Sequence, residues 1–337
     1  MSIETPTDIP TATPIQMRAI THHRYGTADV LRAAHLPRPV FGDNQVLVRV
    51  RAAGLDRGTE HLLTGKPYAV RLAMGLRRPR NPVPGRDVAG IVAEVGADVV
   101  GFKPGDEVYG VAPGSFAEYA VTTPDKLSRK PADISFAQAA VVPISGGTAL
   151  QALTDAGGIQ AGQSVLVTGA SGGVGSYAIQ IAHALGADVT GVCSSRKADY
   201  VRAIGAQHVL TYPHDDWSDG TRRWDLIIDI AGNPTVRQLR RALTRHGTAV
   251  FVGGENDGAI LGMARQIRGA LLSPFIGQRL NPLLARERAE NFQRLTELIE
   301  AGQLDSALDR TYPLEQAADA MRQLERGAIR GKVALVV

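Results

Sequence analysis

The chain has 337 residues, of which 44% are hydrophobic and 21% are charged, and its formal net charge is +4. This length accommodates two domains with separate cores, and the weak positive charge argues against nucleic acid as a partner. No apolar run reaches membrane-spanning length, and the opening residues lack the basic-then-apolar order of a signal peptide, so we expect a cytoplasmic protein that binds no membrane. The single cysteine, Cys193, excludes an intramolecular disulfide and a zinc site of several thiolates.

The amino-terminal part of the chain predicts β-structure. Residues 1–15 are rich in Thr and Pro and are predicted to form a disordered tail. Over residues 16–141, short segments with alternating side chains, such as the one holding Val46, Val48 and Val50, are separated by Gly and Pro turn signals. We therefore expect a β-rich domain over this range.

The densest basic stretch of the chain, residues 71–86, lies inside that domain and contains five arginines. One interpretation is a solvated loop. The other is a patch that attracts an anionic substrate or cofactor, because clustered positive charge raises the local concentration of anions. The sequence leaves both open.

The pattern changes over residues 142–278, where predicted strands alternate with predicted helices. The strands are predicted at 165–168, 188–193, 225–230 and 248–253, and two of the helices at 197–204 and 236–244. Alternation of this kind is typical of a doubly wound parallel sheet. The remaining residues, 279–337, predict helices at 287–301 and 314–326 and a closing strand at 332–337, which can return to the β-rich domain.

A glycine-rich turn follows the first strand of the alternating region. Residues 170–175 read ASGGVG, which is the pattern G-x-G-x-x-G with Ala170 in the place of the first glycine, and an apolar stripe starting at Val174 predicts a helix after it. Glycines allow a close backbone approach and a helix N-terminus attracts anions, so the turn predicts a dinucleotide site; a turn without a ligand is the simpler alternative. The residues predicted to contact the cofactor here are Ala170, Ser171, Gly172, Gly173 and Val174.

Several motifs together resemble the medium-chain dehydrogenase/reductase superfamily. They are PGRDVAG at residues 84–90, VG at 95–96, GDEV at 105–108 and the glycine-rich turn, and the resemblance runs from about residue 17 to residue 337. Within the superfamily the chain is similar to the zinc-independent quinone oxidoreductase branch, which includes zeta-crystallin. The resemblance implies an α/β fold: a Rossmann-type doubly wound parallel sheet that binds the cofactor, plus a GroES-like β-rich catalytic domain to which residues 279–337 return.

The zinc-binding residues of the superfamily are replaced in this chain. Zinc-dependent members carry G-H-E where residues 85–87 read GRD, and a cysteine near the position of Asp56. Arg86 opposes a metal ion by charge, and one cysteine cannot build the four-cysteine lobe of those members. We therefore expect no metal.

The cofactor is expected to be NADPH rather than NADH. No acidic residue follows the predicted strand at 188–193, where an NAD-specific protein would place one against the ribose. The resemblance implies that Ser194, Lys197 and Tyr212 hold a 2′-phosphate, and Arg196 adds a second cation after the strand; alternatively, the two basic residues only begin a helix. The resemblance also places Thr148, Val252, Gly253 and Gly254 near the nicotinamide. It makes Lys332 a candidate for a pyrophosphate contact, with a solvated lysine as the alternative.

Reduction without a metal needs hydrogen-bond donors that meet the negative charge developing on a carbonyl oxygen. By resemblance, the segment after Gly54 lines the substrate cleft, so His61 or Tyr68 is predicted as proton donor or carbonyl polariser and Asp56 as an orienting group. Solvent as the proton source, and Arg86 as a contact for an anionic substrate, are open alternatives.

These observations predict an NADPH-dependent oxidoreductase that transfers a hydride to a small-molecule quinone or α,β-unsaturated carbonyl compound. The alternatives are an enoyl-thioester reductase of a biosynthetic pathway and a non-catalytic cofactor-binding protein of crystallin type. The resemblance further implies a homodimer, formed through a sheet edge that residues 225–253 could supply.

Overall fold

A computed structural model describes residues 15–253, 264–273 and 276–337. Seven strands and three helices form most of the amino-terminal part. The strands are β1 Gln16–Thr21, β2 Arg32–Pro37, β3 Val46–Leu55, β4 Asp87–Val95, β5 Glu107–Val111, β6 Tyr119–Thr122 and β7 Leu127–Arg129, and the helices are α1 Arg57–Thr64, α2 Val70–Met74 and α3 Phe136–Ala139. Of the predicted tail, residues 1–14 lie outside the described residues, whereas the carbonyl of Ile15 accepts a hydrogen bond from the Arg38 amide.

The rest of the chain alternates strands with helices, as the sequence predicts. The strands are β8 Ser164–Thr168, β9 Asp188–Ser194, β10 His208–Tyr212, β11 Trp224–Asp229, β12 Leu243–Phe251, β13 Arg279–Pro282, β14 Leu308–Pro313 and β15 Lys332–Val336. The helices are α4 Pro143–Gln151, α5 Gly173–Ala184, α6 Ala198–Ala203, α7 Val236–Ala242, α8 Ala264–Leu272, α9 Ala289–Glu300 and α10 Ala317–Glu325. None of the helices within the described ranges is long and apolar enough to cross a membrane.

Six strands form a parallel sheet in the order β10-β9-β8-β11-β12-β13. Its central strands are almost continuously apolar, because helices cover both faces of such a sheet. Helix α5 follows β8 and buries a stripe that includes Tyr177, Ala178 and Ile181. This order places the carboxyl ends of β8, β9 and β11 next to one another, which is where a doubly wound sheet binds its ligand.

A seven-stranded sheet joins strands of the amino-terminal part to the last two strands, and β1 and β2 form a separate antiparallel pair. Its strands run in the order β14-β15-β3-β4-β5-β7, and β6 also pairs with β3. The carboxyl-terminal strand β15 runs antiparallel to β3, with Val333 opposite Leu55. The β-rich part therefore includes the last strand of the chain, and residue Lys332 at its start lies near the first residues after β3.

The structure corrects two boundaries predicted from the sequence. The parallel sheet was predicted to end at residue 278, but β13 pairs with β12 beyond it. Residues 225–253 were predicted to supply a free edge, but β11 and β12 each have a neighbour on both sides, and the edges are β10 and β13. Both errors have one cause: β13 has four residues, of which only Leu280 is buried, so its apolar pattern is too short to predict a strand.

Candidate active site

The glycine turn, residues 169–175, connects β8 to α5 at the carboxyl edge of the parallel sheet. Gly169 has φ +66°, so it makes the left-handed turn, and Ala170 in the first motif position needs no such conformation. A side chain at Gly175 would lie 2.2 Å from the Gly169 carbonyl oxygen and 2.8 Å from the Ala170 Cα, so this glycine lets the helix pack against the turn. At Gly172 the nearest atom is the Gly169 oxygen at 3.4 Å, which leaves the space in front of this residue open.

The amino terminus of α5 has no side-chain cap. The N-cap residue, Gly172, has no side chain that could accept a hydrogen bond from the first amides of the helix. The amides of Gly173 and Val174, which have no intrahelical partner, are therefore not capped by it. An anion placed at Gly172 would receive those amide donors and the positive end of the helix dipole. The turn therefore has the space, the donors and the charge that a pyrophosphate group requires.

The predicted 2′-phosphate residues meet at the ends of two neighbouring strands. Ser194 ends β9 and Tyr212 ends β10, and the parallel register sets them opposite each other. Arg196 is exposed, and the Lys197 ammonium donates to the Ile329 carbonyl. Burial lowers the pKa of Lys197, and nearby Asp309 opposes that shift. Ser194 and Tyr212 thus lie side by side at the ends of their strands, and Arg196 and Lys197 follow Ser194 directly in the chain.

The predicted nicotinamide end lies where β11 and β12 finish. The amides of Val252 and Gly253 both donate to the Asp229 carbonyl, at 2.9 and 3.3 Å, and a side chain at Gly253 would lie 2.1 Å from the Ile230 carbonyl oxygen. Thr148 is half-buried on α4. Gly254, the last residue predicted here, lies outside the described residues.

An ion pair that the sequence analysis missed supports this end of the sheet. The Arg265 guanidinium lies 2.6 Å from the buried Asp229 carboxylate and donates to the carbonyls of Pro234 and Gly253. It therefore fixes the loop after β12 to the end of β11. Because Arg265 comes from α8, separated from both strands in sequence, no local pattern indicated this contact.

A second polar group, the carboxylate cluster, consists of Asp56, Asp87 and Lys332. The Lys332 ammonium lies 2.7 Å from Asp87 Oδ2 and 3.5 Å from Asp56 Oδ2, and all three residues are buried. Asp87 Oδ1 accepts from the Ile144 amide at the start of α4, at 2.8 Å. Asp56 Oδ1 caps α1 by accepting from the Thr59 amide at 2.7 Å. The cluster thereby joins β4, α1 and α4 at one point.

The three charges shift one another's pKa values. Burial, reinforced by the negative charge of Asp56, raises the pKa of Asp87 to about 6 despite the opposing charge of Lys332. Burial also acts to raise the pKa of Asp56, but Lys332 and the hydrogen bonds from Thr59 outweigh it, and the net shift is downward. Burial acts to lower the pKa of Lys332, and the two carboxylates more than reverse this. Near neutral pH the cluster therefore holds two carboxylates and one ammonium.

Comparison with known proteins identifies the arrangement. Residues 42–132 match the family model of the alcohol dehydrogenase GroES-like domain, and residues 204–335 match that of the zinc-binding dehydrogenases. A chloroplast envelope quinone oxidoreductase homolog from Arabidopsis thaliana is 30% identical, with 94% of this chain and 97% of that protein covered. The chain belongs to the medium-chain dehydrogenase/reductase superfamily, in its quinone oxidoreductase branch.

Two further relatives agree with this assignment. The 2-methylene-furan-3-one reductase of Solanum lycopersicum is 31% identical over 98% of this chain and 81% of its own length. The Escherichia coli quinone oxidoreductase, solved in complex with NADPH, is 27% identical with a TM-score of 0.81, covering 95% of this chain and all of that one. The predicted fold is confirmed: a GroES-like domain and a Rossmann-type parallel sheet. This member of the superfamily is an NAD(P)H-dependent oxidoreductase, and the glycine turn fits the nicotinamide cofactor that its relatives use.

Lys332 has partners other than those predicted. It is not a solvated lysine, because it is 2% exposed, and its ammonium is directed to Asp87 and Asp56 instead of to a pyrophosphate. Its alkyl stem passes the glycine turn, since a side chain at Gly173 would lie 2.8 Å from the Lys332 Cδ. The preceding amide, that of Gly331, donates to the Ser171 carbonyl at 2.9 Å. Lys332 therefore connects the cofactor turn to the GroES-like domain without offering the cofactor its charge.

The three predicted catalytic residues do not meet at one point. Asp56 lies in the carboxylate cluster, whereas His61 is exposed on α1 and Tyr68 is 44% exposed. The Tyr68 ring lies 4.8 Å from the guanidinium carbon of Arg71. Arg86, the alternative anion contact, forms an ion pair with Glu287. The sequence analysis missed Asp87 as a site residue. It is the first residue of the buried strand β4, and a buried carboxylate needs a partner, so its position could have indicated the cluster.

No group of three or more His, Cys, Asp or Glu side chains that could hold a metal ion occurs in the described part of the chain. Cys193 is buried in β9, and burial raises the pKa of its thiol. The carboxylates of Asp56 and Asp87 are already paired with Lys332. The residues at the superfamily's zinc position thus form a lysine-centred cluster.

Proposed function

We propose that the chain is an NADPH-dependent reductase of small-molecule quinones or α,β-unsaturated carbonyl compounds that works without zinc. The observation that carries the proposal is the pair of strand ends at Ser194 and Tyr212, flanked by Arg196 and Lys197. Hydroxyl and cationic donors suit a 2′-phosphate, whereas a free ribose 2′-hydroxyl is usually bound by a carboxylate. The enone part is supported by the name of the tomato relative, since a 2-methylene-furan-3-one is an α,β-unsaturated ketone.

The bound cofactor would supply the hydride, and the protein would bind, orient and shield the reactants. The uncapped start of α5 would hold the pyrophosphate. Asp87 fixes the start of α4 through the Ile144 amide, and Thr148 lies one helical turn further on, at the predicted nicotinamide end. Asp56 has a lowered pKa and is therefore a carboxylate, so we assign it to holding α1 and Lys332 in place instead of donating a proton.

Independence from zinc is supported by the charges at the superfamily's metal position. A divalent cation there would have to displace the Lys332 ammonium from two carboxylates and would lie near the charge of Arg86. We expect purified protein to keep its turnover after exhaustive treatment with a chelator. Loss of turnover that returns with stoichiometric zinc would refute this part of the proposal.

Cofactor choice is tested by titrating NADPH and NADH against the wild type and Lys197→Ala. We expect wild type to bind NADPH more tightly and the variant to lose about tenfold in NADPH affinity, the effect of about 1.4 kcal/mol, with little change for NADH. Arg202→Ala, an exposed arginine on α6 paired with Asp199, serves as the control for a lost charge. Equal affinities for the two cofactors in wild type would contradict the proposal.

The proton donor is tested separately with Asp56→Asn, His61→Phe and Tyr68→Phe, assayed on an enone that the wild type reduces. A loss of turnover in His61→Phe or Tyr68→Phe would assign the donor, and unchanged turnover in both would assign it to solvent.

The homodimer and the cytoplasmic location stay predictions. Light scattering of the purified protein tests the first, and fractionation of the source cells tests the second.

A further inference from the structure

Residues 57–86 form an excursion that leaves the carboxylate cluster and returns to it. The excursion follows Asp56 and ends before Asp87, and Lys332 contacts both of these residues. It contains α1 and α2 and the loop after them. Any ligand bound by this excursion therefore lies on a segment whose two ends are fixed at the candidate active site.

From residue 61 onwards, all the charged side chains of the excursion have the same sign. Residues 61–86 contain no Asp or Glu, but they contain six cationic residues: Lys66, Arg71, Arg77, Arg78, Arg80 and Arg86. Mixed charges are the rule on protein surfaces, because like charges in proximity repel. In this segment, 26 consecutive positions contain no negative charge to offset the repulsion between the cations. Such a composition is expected where an anionic ligand supplies the negative charge.

Three of these six cations have side-chain partners among the described residues, whereas Lys66, Arg77 and Arg78 do not. Arg71 packs its guanidinium against the rings of Tyr25 and Tyr68, at 4.3 and 4.8 Å, and Arg80 donates to the Ala73 carbonyl. By contrast, Arg77 and Arg78 make no ion pair or side-chain hydrogen bond with any residue that the structure describes, and both are exposed.

These two arginines line a cavity of about 500 Å³. We call it the basic cavity; its other lining residues are His23, Leu76, Arg80 and two prolines. A volume of this size is typical of small-molecule sites. No carboxylate is among the described residues that line it, and Leu76 adds an apolar side chain that is 67% exposed.

The backbone around the basic cavity is held in place. The Tyr25 hydroxyl donates to the Gly75 carbonyl at 2.5 Å, and the Arg80 amide donates to the Met74 carbonyl at 2.8 Å. On the other side, the His22 amide donates to the Pro82 carbonyl at 2.8 Å. A ligand would therefore meet arginines whose main chain is already ordered, which lowers the entropy lost on binding.

We propose that the basic cavity binds the phosphate-bearing end of a pantetheine thioester, whose acyl part reaches the candidate active site. Guanidinium groups bind phosphate oxygens in pairs of parallel hydrogen bonds, and the exposed leucine suits the apolar parts of such a ligand. The phosphate can belong to coenzyme A or to the phosphopantetheine arm of a carrier protein. That the ligand is a substrate rests on the proposed reductase function; that the cavity binds phosphate does not.

The direct test is a calorimetric titration of the full-length protein saturated with NADP⁺, so that no probe can enter the dinucleotide site. The probes are coenzyme A, dephospho-coenzyme A and 4′-phosphopantetheine. The test variant is Arg77→Ala/Arg78→Ala, and the control is Arg49→Ala/Arg326→Ala, which removes two exposed arginines outside the cavity. We expect coenzyme A to bind wild type and control equally and the test variant at least about tenfold more weakly.

The three probes identify the phosphate that is bound. If dephospho-coenzyme A binds about tenfold more weakly than coenzyme A, the cavity holds the 3′-phosphate of the free coenzyme. If all three probes bind alike and all weaken in the test variant, it holds the phosphopantetheine phosphate. Equal affinities of the test variant and the control for every probe would overturn the proposal. Duplex DNA and vesicles of anionic lipid serve as additional probes, and a test variant that loses binding only to one of these would also overturn it.

A kinetic test then separates this site from the proposed reductase function. With crotonyl-coenzyme A as substrate, we expect the test variant to raise KM about tenfold at unchanged kcat, and to leave kinetics with a small uncharged enone unchanged. If NADPH is not oxidised with either substrate, the proposed function fails, and the titration, repeated without NADP⁺, still decides whether the cavity binds phosphate.

Discussion

The glycine turn joins residues that are neighbours in the chain, whereas the carboxylate cluster joins Asp87 to a lysine 245 positions away. In the turn, three of the four glycines meet a local requirement: a left-handed φ at Gly169, a close backbone approach at Gly175 and open space at Gly172. In the cluster, Asp56 has a local role as the N-cap of α1, whereas the partners of Asp87 and Lys332 come from distant segments. The predicted pyrophosphate site is therefore encoded by one short segment, and the connection between the two domains by three segments that meet only after folding.

The largest effect expected from this comparison is that of Lys332→Met. The variant keeps an apolar stem beside Gly173 but leaves two buried carboxylates without a cation, so we expect a loss of about 3–5 kcal/mol in the free energy of unfolding. Urea denaturation at pH 7 measures it. Arg202→Met, which breaks an exposed pair with Asp199, is the control and should lose less than about 1 kcal/mol. Similar losses in both variants would show that the cluster is no more than a surface ion pair.

The glycine turn can be tested with two alanine substitutions that differ in what they meet. Gly175→Ala places a methyl group against the backbone of Gly169 and Ala170, so we expect a loss of about 1–3 kcal/mol in stability and weak cofactor binding. Gly172→Ala meets no protein atom closer than 3.4 Å, so it should keep the stability and lose cofactor affinity alone. Thermal unfolding and cofactor titration separate the two outcomes. Unchanged cofactor affinity in Gly172→Ala would place the pyrophosphate elsewhere.

The pH dependence of stability tests the charges in the cluster. The pKa of Asp87 is raised from 3.8 to about 6, so the folded state binds this proton more tightly than the unfolded state does, and stability falls as the pH rises between these values. Relative to Asp87→Asn, which cannot titrate, wild type should lose about 2 kcal/mol between pH 4 and 7. Asp219→Asn is the control, because hydrogen bonds from Thr221 lower the pKa of Asp219 and its contribution changes only below that window. A flat difference for Asp87→Asn would mean that the carboxyl is ionised throughout.

The smallest effects are expected at the exposed candidates on the excursion. His61→Phe and Tyr68→Phe should each change the free energy of unfolding by less than about 0.5 kcal/mol, because both side chains are exposed. Chemical denaturation provides the measurement. Any loss of turnover in these variants then reports on the reaction instead of on the fold. A large destabilisation would show that these side chains support the excursion.

The sequence predicted the parts of the site that depend on short segments. The glycine turn, the absence of an acid after β9 and the alternation of strands and helices all follow from residues within one or two elements of each other. Strand β13 was missed because four residues with one buried side chain carry too little pattern. Asp87 and Arg265 were missed because their partners come from distant elements. Lys332 was assigned to the cofactor by the family resemblance, and its carboxylate partners could not be predicted because they too are distant in the chain.

By itself, then, the sequence indicated the superfamily through the resemblance of its motifs. It also determined the two-part architecture and the position of the cofactor turn, since glycine geometry and apolar periodicity act over a few residues. Only the tertiary structure decided that Lys332 is buried between Asp56 and Asp87, that β13 and not β12 forms the sheet edge, and that Arg77 and Arg78 share one cavity. The physical reason is that the strength of a charge depends on its burial and on its neighbours, and both are set by contacts between residues far apart in the chain.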